Sequence, residues 1–160
     1  MSYLDVLIIG PELILVIFCL STLLLGSFFD SIKTSSFIFL STIGILIFAA
    51  VLIYISPYKA VPAFSGAFVR DPFATYFQIT ILLSVVALLV LSKEYLIKHG
   101  LLKFEYPILV TFATLGMLVV VSSQNLLVLY LGIEVQSLSL YVIATFRKDN
   151  IRSTEAGLKY

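Results

Sequence analysis

Residues 106–146 read YPILVTFATLGMLVVVSSQNLLVLYLGIEVQSLSLYVIATF and contain a single charged side chain, Glu134. As one continuous helix these 41 residues would measure ~60 Å, about twice the hydrocarbon core of a bilayer. The segment must therefore fold back, and its polar cluster, Ser122–Asn125, marks the turn. Because Ser and Asn side chains accept hydrogen bonds from free N–H groups at a helix start, we predict helices over 106–121 and 126–146.

The preceding part of the chain contains three more stretches that are suited to crossing a membrane. A spanning helix needs ~20 predominantly apolar residues. No charged side chain occurs within three ranges: 13–29, 34–58 and 72–92. Pro11 suits the first turn of a helix, where a missing N–H group has no cost. The predicted helices cover 11–29, 34–57 and 72–92.

A sixth helix is predicted to start at 153–160, after the charged segment 147–150. The sequence therefore predicts an all-α membrane protein. Its single transmembrane domain covers 1–160 and has five spanning helices and the start of a sixth.

Composition excludes several classes of protein. Apolar residues make up 61% of the 160-residue chain and charged residues 12%, whereas soluble domains have ~45–50% and ~25%. The chain is thus too apolar for a soluble globular fold or a disordered one. A net charge of +1 argues against nucleic-acid binding, because phosphates require a basic surface. Cys19 is the single cysteine, so the sequence indicates no internal disulfide, no cysteine-rich zinc site, no iron–sulfur cluster and no obvious redox centre.

Lysine and arginine are distributed unequally between the two sides of the predicted membrane domain. The side that holds the N-terminus, here called side one, has two of these residues in its loops, Lys59 and Arg70. The loops of side two contain seven: Lys33, Lys93, Lys98, Lys103, Arg147, Lys148 and Arg152. The positive-inside rule therefore predicts that side one faces the periplasm or the intermembrane space. A signal peptide is not predicted, because residues 1–12 contain no Lys or Arg.

Glu134 lies eight residues into its predicted helix, ~12 Å from the helix start. A charged carboxylate near the bilayer centre costs ~2.5–3.5 kcal/mol on insertion scales, so such residues usually contact a cation, a hydrated cavity or a proton path. Hydroxyl groups accompany it at helical spacing and form a polar stripe: Tyr130, Glu134, Ser137, Tyr141 and Thr145. Gln136 and Ser139 lie on an adjacent face. We predict that the polar stripe faces protein and that Glu134 takes up and releases a proton.

The alternative for Glu134 is a structural hydrogen bond within the membrane. For the individual hydroxyls we favour a structural role, because Ser and Thr often join neighbouring membrane helices by hydrogen bonds.

Lys159 is the second candidate for proton transfer, because it lies some six residues into the predicted sixth helix. The alternative is a favourable surface pair with Glu155, four residues earlier. Glu12 is interpreted as a helix cap or interface group, since its charge meets the helix dipole favourably. His99 lies in a basic loop, where contact with solvent or phospholipid head groups is expected. Cys19 is expected to pack as a small apolar residue.

The last third of the chain carries the most specific motif. YLGIEVQSLSLYV (130–142) and EAGLKY (155–160) resemble subunit N of bacterial NADH–quinone oxidoreductase and its mitochondrial counterpart, NADH dehydrogenase subunit 2. GAFVRDPFATYF (66–77) and the Pro11–Glu12 pair are similar to the same family. These proteins are antiporter-like membrane subunits of respiratory complex I. The chain resembles the N-terminal part of such a helix bundle.

The resemblance implies a role in coupling NADH:quinone electron transfer to proton translocation. Glu134 matches a family glutamate that is thought to pair with a lysine on a later helix, and Lys159 matches a family lysine near the start of helix 6. NADH, FMN, iron–sulfur clusters and quinone would be bound by partner subunits and no cofactor by this chain. Its partners would be the lipid bilayer and other membrane-arm subunits, including neighbouring antiporter-like ones, in a bacterial or mitochondrial inner membrane.

Two other functions are compatible with the sequence. Mrp-type cation/proton antiporters share this helix pattern, although the wording of the two motifs favours subunit N. A structural or assembly subunit of the membrane arm is the other alternative. Whether the gene continues past Tyr160 with a lysine in each of two further helices distinguishes the pump from the structural subunit.

Overall fold

A computed structural model describes residues 6, 8–28, 32–56, 61–146, 153, 155, 157 and 159, with only the backbone at 32, 33 and 61. The helices, numbered in chain order, are α1 (Gly10–Phe28), α2 (Ile32–Ile55), α3 (Pro72–Lys98), α4 (Glu105–Ser122) and α5 (Leu126–Ala144). All five are long and apolar enough to cross a bilayer, which confirms the predicted helical membrane fold. The described residues between 153 and 159 are also helical.

The helix ends lie within two residues of the predicted positions, with one exception. α3 continues to Lys98 instead of stopping at residue 92. The charged residues after 92 end the apolar segment, but Lys and Glu are good helix formers and do not end the helix. Termination occurs at Gly100, whose φ of 65° is accessible to glycine without strain. Leu101 N–H then donates to Leu96 O at 2.8 Å, which satisfies a carbonyl of the last turn.

A short hairpin on side one was not predicted. Strands β1 (Val61–Ala63) and β2 (Phe68–Arg70) pair antiparallel, with a 3₁₀ turn at Phe64–Gly66 between them. Phe64 and Ser65 both have positive φ, so the reversal is tight. Three-residue strands are too short to show the alternating pattern by which strands are recognised in a sequence. The hairpin lies between α2 and α3.

Helix α4 is central to the bundle, because it packs against all four other helices. Half of the residues in its membrane-spanning stretch are buried, compared with 11% for α5, which packs against α4. The main core lies among α1–α4 and contains the largest fully buried apolar side chains: Leu15, Phe39, Leu46, Ile53, Leu82, Leu89 and Leu118. Cys19 is fully buried against Ile38 and Ile108, which confirms its predicted packing role.

Candidate proton-transfer site

Asn125 sets the start of the helix that carries Glu134. Its backbone is extended, and its side-chain Oδ1 accepts a hydrogen bond from Leu127 N–H at 3.0 Å. This is the N-cap that the sequence predicts, and it satisfies one of the free donors at the start of α5. Glu134 therefore lies ~12 Å along the helix axis from Leu126. Side one is the nearer membrane surface.

Two glycines determine which face of α5 contacts α4. A Cβ atom at Gly116 would lie 2.6 Å from Gly132 O and 2.7 Å from Gln136 N, both backbone atoms. A Cβ atom at Gly132 would lie 2.8 Å from a methyl group of Val120. Real Cβ atoms do not approach so closely, so the two helix backbones meet here because side chains are absent, as is usual for membrane helix interfaces.

Glu134 points away from this contact. Two residues separate it from Gly132, which places it ~200° further around the helix at ~100° per residue. The polar stripe shares that orientation: Tyr130, Ser137, Tyr141 and Thr145 lie on the side of α5 opposite Gly132, whereas Gln136 and Ser139 lie on the α4 side. Glu134 and Ser137 are half-buried, and both tyrosines are exposed. Helices α1 to α4 therefore leave the polar stripe largely open.

The hydroxyls of α5 bond mostly within their own helix. Ser139 Oγ donates to Val135 O at 2.8 Å, and Thr145 Oγ1 contacts Tyr141 O at 3.1 Å. Among the residues that the structure describes, neither hydroxyl is hydrogen-bonded to a neighbouring helix, so their expected role in joining helices stays a prediction. In an apolar environment the carbonyl four residues earlier is the nearest acceptor for a Ser or Thr hydroxyl. Tyr130 differs from them, because its phenol interacts with the Glu134 carboxylate one turn away.

Two described residues beyond α5, Ser153 and Gly157, contact its side-two end. Ser153 Oγ donates to Ala144 O at 2.7 Å, which ties the start of the next helical segment to the end of α5. Gly157 lies directly against Thr145, the last member of the polar stripe. A side chain at residue 157 would clash with Thr145, so glycine permits this close approach. Gly157 thus covers the stripe at Thr145, its side-two end.

Lys159 is on the exposed side of that segment. Its Nζ lies 4.0 Å from Glu155 Oε2, and the two side chains are 81% and 60% exposed. An exposed pair at this distance contributes little to stability. Among the residues that the structure describes, no ion pair or hydrogen bond joins Lys159 to Glu134. His99 is exposed at the end of α3, as predicted, with its ring stacked on Tyr95 at 4.1 Å between centroids.

A buried ionic cluster lies near side one, in a region where sequence analysis assigned no site. Arg70 Nη2 donates to both carboxylate oxygens of Glu12, each at 2.8 Å. Gln78 Nε2 donates to Glu12 Oε1 at 2.9 Å and to Ser122 Oγ at 2.8 Å. The four side chains, here called the Glu12–Arg70 cluster, are all at least 90% buried. They join the start of α1, the end of β2, the second turn of α3 and the end of α4.

Glu12 lies in the first turn of its helix, as the cap interpretation expects, but it is buried, so its interpretation as an interface group is wrong. Its carboxylate is a buried partner of Arg70, 58 residues away in the sequence. A pair this distant leaves no local spacing signal. One signal was present nevertheless: Gln78 is an amide inside an apolar span, where a polar side chain requires a partner.

Comparison with known proteins adds independent information about the chain. Residues 123–160 match a transmembrane family described as "NADH:quinone oxidoreductase/Mrp antiporter, TM". The chain is 41% identical, over 98% of its length, to the NADH-quinone oxidoreductase subunit N of Jannaschia sp., and 42% identical, over 96% of its length, to that of Rhodospirillum rubrum. In each case the alignment spans 32% of the curated relative.

The similarity extends over nearly all of this chain, including α1, the hairpin and α5. The chain spans about a third of the length of the relatives it matches. Over nearly its full length the chain is thus homologous to the antiporter-like subunit N of NADH-quinone oxidoreductase.

Proposed function

We propose that this chain forms part of a proton-translocating membrane subunit that couples NADH:quinone electron transfer to proton transport. The observation that carries the proposal is the position of Glu134. It lies ~12 Å into α5 within a polar stripe that faces away from α4. A carboxylate at this depth has a free-energy cost of insertion, so membrane helices rarely retain one without a functional role. The name of the relatives, NADH-quinone oxidoreductase subunit N, supports the same function.

Proton transfer at Glu134 follows from ordinary electrostatics. Burial of a carboxyl group favours its neutral form, and an approaching positive charge favours the carboxylate. Movement of a cation toward or away from Glu134 would therefore change its proton occupancy. Tyr130, one turn earlier on the same face of α5, would orient the carboxylate. Lys159 would act near the side-two end of the stripe, and the remainder of a longer subunit would cover the open face.

We assign side one to the periplasm or the intermembrane space. Arg70 supports this assignment, because its charge is compensated by Glu12 in a buried pair and does not act as a free positive charge. The uncompensated positive charge on side one is then still smaller relative to side two, which strengthens the assignment by the positive-inside rule. Partners would be the other membrane-arm subunits of complex I in an inner membrane. NADH, FMN, iron–sulfur clusters and quinone would be bound in partner subunits.

A second candidate is an Mrp-type cation/proton antiporter. The description of the family that matches residues 123–160 includes both kinds of protein. In that case the polar stripe would exchange a metal cation for protons without any electron transfer. Three relatives with 41–42% identity have the oxidoreductase name, which is why we rank the antiporter second.

Deletion and complementation of the gene distinguish the candidates. Membrane vesicles from deletion cells should lose NADH-driven proton uptake and keep sodium/proton exchange, and the full-length gene should restore the former. Loss of sodium/proton exchange with intact NADH-driven uptake would instead identify an antiporter. If the complex no longer assembles in the deletion cells, the Glu134 variants described in the Discussion decide between pump and structural subunit.

A further inference from the structure

We propose that Glu12 and Arg70 are positioning residues that hold the start of α5, and with it Glu134, through the hairpin and the α4–α5 turn. The effect on α5 depends only on the contacts described below. Its consequence for proton transfer rests on the proposed function. No motif or spacing assigns either residue to this task.

The first tie anchors the hairpin to the helices. Arg70 is the last residue of β2, and its guanidinium group donates to both oxygens of Glu12 at the start of α1. Only 7% of Arg70 and 4% of Glu12 is exposed. Charges in such a setting need their partners, because an unpaired buried charge has a high desolvation cost. The ion pair therefore fixes the end of β2 against the bundle.

The second tie connects the hairpin to the turn before α5. Gln124 N–H donates to Ala67 O at 3.0 Å, and Phe68 forms a bridge with Ser123. Phe68 itself is only 3% exposed, so its side chain holds β2 in the bundle. Residue 123 is thereby bonded to the strand that Arg70 terminates, and residue 124 to Ala67, directly before that strand.

The third tie comes from α3. Gln78 Nε2 contacts Glu12 and, on α4, Ser122 Oγ at 2.8 Å and Leu118 O at 3.4 Å. Ser122, Ser123 and Gln124 are therefore each held, and they directly precede Asn125, the N-cap of α5. All three ties depend on the Glu12–Arg70 cluster or on the strand anchored by it.

The cluster does not form a proton path to Glu134 by itself. Ser122 follows Gly116 by six residues, which places it ~240° around α4 from the glycine contact with α5. Ser122 therefore points away from α5, and Glu134 points away from α4, so the contact between the two helix backbones lies between them. A mechanical role is what the contacts support: loss of the ties allows the start of α5 to move, and proton transfer is sensitive to displacements of ~1 Å.

The test uses the full-length subunit in the assembled complex. Arg70→Gln removes the guanidinium group, and Lys93→Gln, at the exposed side-two end of α3, is the control for loss of a positive charge. Hydrogen exchange of the peptide that covers residues 122–126 should become about tenfold faster in Arg70→Gln and stay unchanged in Lys93→Gln, because exchange reports local opening. In Arg70→Gln the number of protons pumped per NADH oxidised should fall, while the rate of NADH oxidation and the amount of assembled complex stay normal. A purely structural role of Arg70 would not produce this result.

A second variant covers the case in which Arg70→Gln does not assemble. Glu12→Gln/Arg70→Gln leaves no buried charge but still removes the tie, so it should assemble and show the same faster exchange. Unchanged exchange in whichever variant assembles overturns the inference. Faster exchange together with wild-type pumping would support the anchoring of α5 by Glu12 and Arg70. It would overturn the claim that this anchoring matters for proton transfer. Glu134→Gln in the same preparation tests the proposed function separately, because that change leaves all three ties intact.

Discussion

Gly132 on α5 lies against Gly116 on α4 so closely that a Cβ atom on Gly116 would be 2.6 Å from the Gly132 carbonyl oxygen. This contact has a consequence for the charged residue two positions later. With Gly132 directed at α4, Glu134 is directed to the opposite side of the helix. The rotation of α5 about its axis, and so the orientation of the whole polar stripe, depends on these two glycines.

Gly116→Ala should therefore displace α5. The added methyl group meets two backbone atoms that cannot turn aside, and overpacking of this kind costs ~1–3 kcal/mol. We expect less assembled complex on native gels and a lower melting temperature of the purified complex. Gly44→Ala is the matched control, because a Cβ atom at that α2 position meets nothing within 4 Å. Equal behaviour of the two variants would show that the glycine contact does not hold the helices together.

The Glu12–Arg70 pair should show strong non-additivity in stability. Glu12→Gln or Arg70→Gln alone leaves one buried group without its counter-ion, which typically costs ~3–5 kcal/mol. The double variant leaves two neutral groups and should recover most of that loss. Melting temperatures of the complexes with each variant provide the measurement. A double variant as unstable as the sum of the single variants would mean that the two side chains do not depend on one another.

Cysteine labelling should report opposite sides of the membrane for the two ends of α4. A membrane-impermeant maleimide added from the periplasmic or intermembrane-space side should label Asn125→Cys and not His99→Cys. Asn125 lies at the start of α5 on side one, whereas His99 lies at the end of α3 on side two. The native Cys19 is buried and should react in neither case, so it serves as an internal control. Labelling of position 99 alone would reverse the assigned orientation.

Lys159→Gln should lower proton pumping more than Lys98→Gln. Both lysines are exposed, but Lys98 ends α3, whereas Lys159 follows the segment that packs on Thr145. Proton uptake by vesicles at equal amounts of assembled complex measures the difference. Equal rates would leave Lys159 as the surface partner of Glu155 and remove it from the proton path.

The helices were predictable because bilayer thickness and charge restrict where spanning segments begin and end. The turn before α5 was predictable for a local reason: Asn125 caps the helix with its own side chain. The polar stripe was also evident, since helical spacing alone places Glu134 and its hydroxyl neighbours on one face.

Features that depend on contacts between distant residues were missed. The hairpin has strands of three residues, and its anchor, Arg70, finds Glu12 across 58 positions. Arg70 was counted as a loop charge, because a sequence does not show which charges are buried together. Gln78 is the residue that makes such a site recognisable, since a buried amide in an apolar helix requires polar partners.

Glu134 carries the central claim, and the number of protons pumped per NADH oxidised tests it most directly. The comparison is between the wild-type subunit, Glu134→Gln, Glu134→Asp and the exposed control Glu94→Gln, each in assembled complexes of equal amount. Because glutamine keeps the size but does not titrate, we expect Glu134→Gln to lose most of its pumping, with Glu134→Asp intermediate and Glu94→Gln normal. A wild-type ratio in Glu134→Gln would contradict the account and leave Glu134 a structural residue.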